Sequence, residues 1–199
     1  MSESQNFKVG REGTPEIELH ELAELNMEIL QSHIVTAANL RAQWHALSAP
    51  ARLRLAGCPF LLVDAGFAAP ERWGRLPNLA VHETMPIRAL LTSGSVLSTP
   101  LVRRVLLLAW HMTRANPASA RIALGMSRRC AGIVADCRLT DLEGLAERRP
   151  GWIRPRWDQH SDVWRAWLNA AGRESPRPLE ALQLWGLQML AAEVRRSAE

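Results

Sequence analysis

The residues best suited to chemistry in this sequence lie in one short segment, 148–157, which reads RRPGWIRPRW. It combines four arginines with two tryptophans, and its two prolines and one glycine restrict it to loop-like conformations. A guanidinium group binds phosphate oxygens as a fork, and guanidinium and indole planes both stack on bases. The segment therefore predicts a contact with nucleic acid or another anionic surface. The predicted contact residues are Arg148, Arg149, Arg154 and Arg156.

A structural role for the same segment is the alternative. In that case Trp152 and Trp157 anchor the loop in the core, and the arginines stay solvated or pair with nearby carboxylates. The carboxylates close enough in sequence are Glu147, Asp158 and Asp162.

A second basic pair, Arg128 and Arg129, follows Ser127 at the predicted start of a helix. Positive charges there oppose the helix dipole at a cost of some tenths of a kcal/mol. A phosphate or carboxylate bound at the helix N-terminus would offset that cost, so we predict both residues as accessory phosphate contacts. The alternative is that an exposed helical turn simply tolerates them.

The sequence contains no motif for catalysis, metal binding or nucleotide binding. Its three cysteines, Cys58, Cys130 and Cys137, include no C-x-x-C pair, and the six histidines are scattered. The H-E-x-x-H, G-x-S-x-G and P-loop patterns do not occur. We therefore expect a protein that is not an enzyme, with no cofactor, no metal site of its own, and buried cysteines.

The composition is that of a soluble globular protein, with 199 residues, 47% hydrophobic and 22% charged. No apolar run approaches the ~20 residues of a membrane span, and the N-terminus lacks the apolar region of a signal peptide. We expect a cytoplasmic protein without membrane contact.

Residues 101–199 carry 16 arginines against 10 acidic residues, whereas residues 1–100 have a net charge of −2. This asymmetry predicts that the second half contacts either an anionic partner or the first half of the chain.

The hydrophobic periodicity predicts an all-α protein without a convincing β-hairpin. In the first half we expect a flexible leader (1–14) and a helix from near Pro15 to about Ala46. A helix capped by Ser48 should end before Gly57 or Pro59, and a short helix should follow near 61–67. Residues 74–100 should form a connector with one helical turn at 86–92. In the second half we expect a helix over Leu101–Thr113, an interruption at Asn116-Pro117, and a helix that resumes and ends at Leu124-Gly125. Further helices should run from a Ser127 cap to about Cys137, from a Thr140-x-x-Glu143 capping box to about Arg148, from a Ser161 cap to Ala171, and over 179–196.

A weak internal repeat runs at an offset of 79 residues. The aligned identical pairs are Ser48 with Ser127, Ala56 with Ala135, Cys58 with Cys137, Trp73 with Trp152, and Arg75 with Arg154. We interpret the repeat as a duplication, with chance similarity as the alternative. It predicts two similar helical modules in tandem, residues 15–99 and 100–199, packed as a pseudo-dimer.

Several short motifs of the second half resemble the flagellar transcriptional activator subunit FlhD over residues 105–168. They are VLLLA (Val105–Ala109), ASA (Ala118–Ala120), LGMS (Leu124–Ser127), Leu139, LAE (Leu145–Glu147) and RWDQH (Arg156–His160). The helix at 179–196 occupies the place of the family's C-terminal helix, and ELN (Glu24–Asn26) is similar to the family's start. Residues 15–75 would then be a diverged second copy.

The resemblance implies an all-α fold and a non-enzymatic role in transcription, exercised on DNA with a zinc-containing partner subunit, FlhC. This chain is nearly twice the family's length, so the duplication would replace homodimerisation, and we expect a monomeric pseudo-dimer or a homodimer. Ile153 stands at the family's intersubunit cysteine, so no covalent dimer is expected. The alternative function is a helical adaptor or accessory subunit of a flagellar or secretion-type assembly, without nucleic acid.

The last predicted helix carries a wide apolar stripe. Core packing explains such a stripe, and a groove for a partner helix is the competing hypothesis. For the second case we predict Leu182, Trp185 and Met189 as partner-binding residues.

Overall fold

The computed structural model describes residues 14–74 and 97–196, and most of these residues are helical, which confirms the all-α prediction. The helices are α1 (Thr14–Thr36), α2 (Ala38–Ala46), α3 (Ala49–Ala56), α4 (Pro70–Trp73), α5 (Thr99–Ala115), α6 (Pro117–Leu124), α7 (Arg128–Asp136), α8 (Leu139–Arg148), a 3-10 turn (Pro150–Trp152), α9 (Ser161–Ala171) and α10 (Arg177–Arg196). Two short strands are β1 (Val63–Asp64) and β2 (Arg154–Pro155). The predicted leader, except for Thr14 at the start of α1, and most of the connector, with its predicted turn at 86–92, lie outside the described residues.

Strand β1 lies where the sequence predicts a helix near 61–67, and it pairs with β2. The two strands pair antiparallel, with Val63 opposite Pro155 and Asp64 opposite Arg154. The buried side chain of Asn26 on α1 donates to the Phe60 carbonyl at 3.0 Å and accepts from the Leu62 N–H at 2.9 Å. Backbone groups that a helix would bond internally are thus bonded to other segments, so the predicted helix is wrong.

Helix ends recur with the 79-residue spacing of the sequence repeat. The ends of α1 and α5 are 79 residues apart, and so are the starts of α2 and α6 and of α3 and α7. The break at Ala37, with ψ 98°, was not predicted. Ser48 and Ser127 cap their helices in the same way, each accepting from the N–H three residues later. Beyond this stretch the halves differ, because α8 has no helical counterpart over 60–69.

Two predicted helix caps are wrong. Helix α8 begins at Leu139, before Thr140, because the Asp141 and Leu142 N–H groups already bond the Arg138 carbonyl. Helix α9 begins at Ser161, and the flanking His160 makes no side-chain cap bond. Both ends lie within two residues of the prediction, which is the usual error for helix termini.

One hydrophobic core contains residues of both halves. Helix α5 packs against α1, α6, α7 and α8, and α9 packs against α2 and α3 of the first half. The largest fully buried side chains are Trp44, Trp73, Trp164, Trp167, Phe60 and Phe67. Among the described helices, none is long and apolar enough to cross a membrane.

Candidate nucleic-acid interface

The arginine-rich segment is fixed to the fold by Trp152. This side chain is only 6% exposed and meets Trp73 edge to face, with ring centroids 6.0 Å apart. Trp73 in turn stacks on Phe67 with a centroid separation of 5.7 Å. Arg72 completes the contact, because its guanidinium lies 4.2 Å from the Trp152 ring centroid and donates to the Trp152 carbonyl at 2.8 Å. The segment is therefore anchored to α4 of the first half.

Two further arginines, Arg149 and Arg154, flank Trp152 in the chain. Arg154 is exposed on β2, Arg149 is half-buried at the end of α8, and Arg72 is half-buried on α4. Burial lowers the pKa of Arg72, Asp64 raises it, and the positive charges of Arg154 and Arg149 lower it further. Arg72 therefore lies in the field of two further arginines and of the Asp64 carboxylate, which offsets part of their positive charge.

Arg72 was not among the residues that the sequence predicts as a contact. The one available signal was its position next to Trp73, which the repeat aligns with Trp152. Arg148, which was predicted, is exposed, and its guanidinium folds back over Gly144 of the same helix.

Arg156 is a correction to the sequence-based prediction, because its side chain is only 4% exposed. The Nε atom donates to the Leu61 carbonyl at 2.9 Å, and Nη2 donates to the Leu124 carbonyl at 2.8 Å. Asp64 and Glu193 lie at 3.9 Å and 3.7 Å from the guanidinium. Burial lowers the pKa of Arg156, and these two carboxylates raise it. A group enclosed in this way joins segments of the fold and cannot reach a phosphate.

The accessory pair, Arg128 and Arg129, is exposed on the first turn of α7. Helix α7 packs against α4, so the pair belongs to the element next to Arg72. The first turn of α7 contains no acidic residue that would compensate the two charges. Their role as phosphate contacts stays a prediction.

The anchoring alternative is correct for both tryptophans. Trp152 is buried, and the half-buried Trp157 joins an aromatic cluster in which its ring lies 5.7 Å from Trp167 and 5.8 Å from Trp185. Its backbone is left-handed, with φ 54°, a conformation rare outside glycine. Glu147, one of the predicted ion-pair partners, instead contacts Arg103 at 3.0 Å.

The three predicted partner-binding residues differ in how much of each residue is exposed to solvent. On α10, Trp185 and Met189 are 37% and 38% exposed, whereas Leu182 is half-buried and packs against the core. The neighbouring Leu184 is more exposed than any of them, at 57%. The outward apolar surface of α10 therefore runs over Leu184, Trp185 and Met189.

The described residues contain no cluster of three or more histidine, cysteine or acidic side chains that could hold a metal ion. Cys58 and Cys130 are buried and Cys137 is half-buried. Burial raises the pKa of Cys130 to about 12 and that of Cys137 to about 11, so both thiols are protonated at neutral pH.

Comparison with known proteins adds no relative to this description. No protein-family model, no curated protein and no solved structure gives a significant match to the chain. The resemblance to FlhD therefore stays a prediction that rests on the short motifs of the second half.

Proposed function

We propose that this protein is a non-enzymatic transcriptional regulator or co-regulator that resembles FlhD and acts on DNA within a protein complex. The observation that carries the proposal is the Arg72 guanidinium held on the ring and carbonyl of Trp152, with the exposed Arg154 and the half-buried Arg149 close to Trp152 in the chain. Guanidinium groups at a fixed, partly exposed position suit phosphate oxygens. The exposed residues Arg148, Arg128 and Arg129 are further phosphate contacts in this proposal.

The tandem arrangement belongs to the same proposal. The shared 79-residue spacing of helix ends and serine caps, over residues 36–49 and 115–128, supports the predicted duplication. A built-in pseudo-dimer would leave one face for a heterologous partner, for which we propose a zinc-containing subunit similar to FlhC.

DNA binding tests this proposal through its salt dependence. The probe is a fluorescein-labelled DNA duplex of mixed sequence, titrated with the full chain at several salt concentrations. We expect R148Q/R149Q/R154Q to weaken binding and to reduce the slope of log K against log salt by roughly 0.9 for each phosphate that the variant no longer neutralises.

A matched control replaces three other exposed arginines, Arg165, Arg173 and Arg177, with glutamine. It changes the net charge equally, so a loss of affinity specific to the loop variant supports a local contact. Equal affinity and equal salt slopes in the two variants would reject the arginine-rich segment, residues 148–157, as the DNA contact.

A second candidate function is a helical adaptor in a flagellar or secretion-type assembly, favoured by the exposed apolar residues Leu184, Trp185 and Met189. It predicts protein complexes that survive nuclease treatment, together with DNA affinity too weak to respond to the loop substitutions. The regulator hypothesis predicts salt-sensitive DNA binding that the arginine substitutions weaken.

A further inference from the structure

An open groove of about 640 Å³ lies between α6 and the C-terminal part of α10. Its lining is mainly apolar and includes Ala118 and Ile122 from α6, Met126 from the following turn, and Leu187, Ala191 and Val194 from α10. Ile122 is 64% exposed and lies within this apolar lining. The groove therefore presents apolar surface that nothing in the described part of the chain covers.

Gly125 is one of the residues that line this groove. Gly125 ends α6 in the left-handed conformation, with φ 61°, and closes the helix by donating to the Ile122 carbonyl. A Cβ atom at this position would lie 3.1 Å from the Leu190 Cδ2 atom. The glycine thus allows α10 to approach the end of α6, and this close contact holds the two walls of the groove in place.

The charged residues that line the groove are both arginines. Arg121 comes from α6 and Arg195 from α10, so each wall carries one guanidinium, and both side chains are exposed. Within residues 14–74 and 97–196, neither has a carboxylate at ion-pair distance, and no acidic residue lines the groove. Apolar surface flanked on both sides by positive charge is complementary to an acidic amphipathic segment.

We propose that this groove binds an acidic amphipathic helix of a protein partner. The apolar face of that helix would contact Ile122 and Leu187, and carboxylates on its flanks would pair with Arg121 and Arg195. Two walls made by helices suit a third helix, since side-chain ridges then pack into grooves. The inference adds a protein-binding site and does not depend on DNA contact by the arginine-rich segment.

Two other occupants fit the groove less well. A second copy of this chain related by a two-fold axis would bring Arg121 and Arg195 of both copies together, and like charges would oppose the contact. A DNA backbone would place phosphates against the apolar surface of Ile122 and Val194, which offers them no hydrogen bonds.

A pair of synthetic peptides tests the proposal. The probe is a fluorescein-labelled helical peptide with leucines along one face and glutamates on both flanks, and the control peptide has lysines in place of the glutamates. Fluorescence anisotropy with the full chain should show that the glutamate peptide binds about tenfold more tightly or better, with a preference that falls as salt rises.

Charge reversal makes the test specific. R121E/R195E should invert the preference between the two peptides, whereas the control R165E/R173E, on arginines outside the groove, should leave it unchanged. R148Q/R149Q/R154Q should retain peptide binding, so failure of the DNA proposal and failure of this one are distinguishable. Circular dichroism shows that each variant is folded.

Three results would overturn the proposal. One is no binding of the glutamate peptide, and another is equal binding of both peptides by the wild type. The third is a dimer in light scattering that Ile122→Glu converts to monomer, because the groove would then be occupied by a second copy.

Discussion

The guanidinium of Arg72 lies over the indole of Trp152, 4.2 Å from the ring centroid, and donates to the carbonyl of the same residue. The two residues are 80 positions apart in the chain, on opposite sides of the predicted module boundary. One arginine therefore fixes the position of the loop and contributes charge to its surface. This dual role makes the basic surface dependent on the packing between the two halves.

Removal of the Arg72 guanidinium should lower stability as well as DNA affinity. We expect Arg72→Gln to reduce the free energy of unfolding by about 1–3 kcal/mol, because the substitution removes both a charge-assisted hydrogen bond and a cation–π interaction. In a double-mutant cycle with Trp152→Leu, the coupling should be about 0.5–2 kcal/mol. Urea denaturation gives all four values.

The control for this cycle is Arg114, which lies 4.7 Å from the Trp110 ring centroid at an exposed position. Arg114→Gln should change stability by less than about 0.5 kcal/mol. If Arg72→Gln is equally mild, the interaction with Trp152 does not hold the loop in place.

Arg156 should behave as a core residue. Arg156→Met leaves the Leu61 and Leu124 carbonyls without their donor and removes the cation that faces Asp64, so we expect the free energy of unfolding to fall by about 3–5 kcal/mol. Arg154→Met, two residues earlier on the exposed edge, should cost less than about 0.5 kcal/mol. Thermal and urea unfolding of the two variants compare them directly, and similar costs would contradict the structural role.

Two helical glycines should respond in opposite directions to alanine. At Gly186 of α10 a Cβ atom would overlap the buried ring of Phe60, so Gly186→Ala should destabilise the protein by about 1–3 kcal/mol, less the small gain in helix propensity. At Gly132 of α7 nothing lies within 4 Å of the added Cβ, so Gly132→Ala should stabilise it by about 0.5–1 kcal/mol. Denaturant midpoints measure both changes, and a stabilising Gly186→Ala would show that α10 does not pack on Phe60.

Stability should fall in alkaline solution because the buried thiols remain protonated. Burial raises the pKa of Cys130 from 9.0 to about 12 and also raises that of Cys58. At pH values below the pKa of the unfolded thiols, the thiols are protonated in both states and do not change the free energy of unfolding. Above it the unfolded chain loses protons that the folded chain keeps, so unfolding becomes easier by about 1.4 kcal/mol per pH unit for each thiol.

The composition makes this effect measurable, because the chain has no tyrosine and Lys8 is its only lysine. Urea denaturation between about pH 8 and 10.5 should show a decline that begins near the pKa of an unfolded thiol. The variant C58A/C130A should give a flatter profile, and an unchanged slope would mean that these thiols do not titrate differently on folding.

Signals carried by neighbouring residues predicted much of the helical structure correctly. Asn116-Pro117 separates α5 from α6, Gly125 ends α6, and Ser127 caps α7. Each of these signals works through backbone groups no more than four residues away, so the sequence pattern contains the whole interaction. The same reasoning explains why the arginine-rich segment could be recognised as a loop before its surroundings were known.

Contacts between distant segments decided the remainder. Whether residues 61–67 form a helix depends on Asn26, whose side chain bonds the chain 36 residues away. Whether Arg156 faces solvent depends on the Leu61 carbonyl, 95 residues earlier, and Arg72 entered the candidate site only through Trp152. A short sequence window shows an arginine as a surface charge. Only the tertiary structure supplies the buried carbonyls and carboxylates that make its burial favourable.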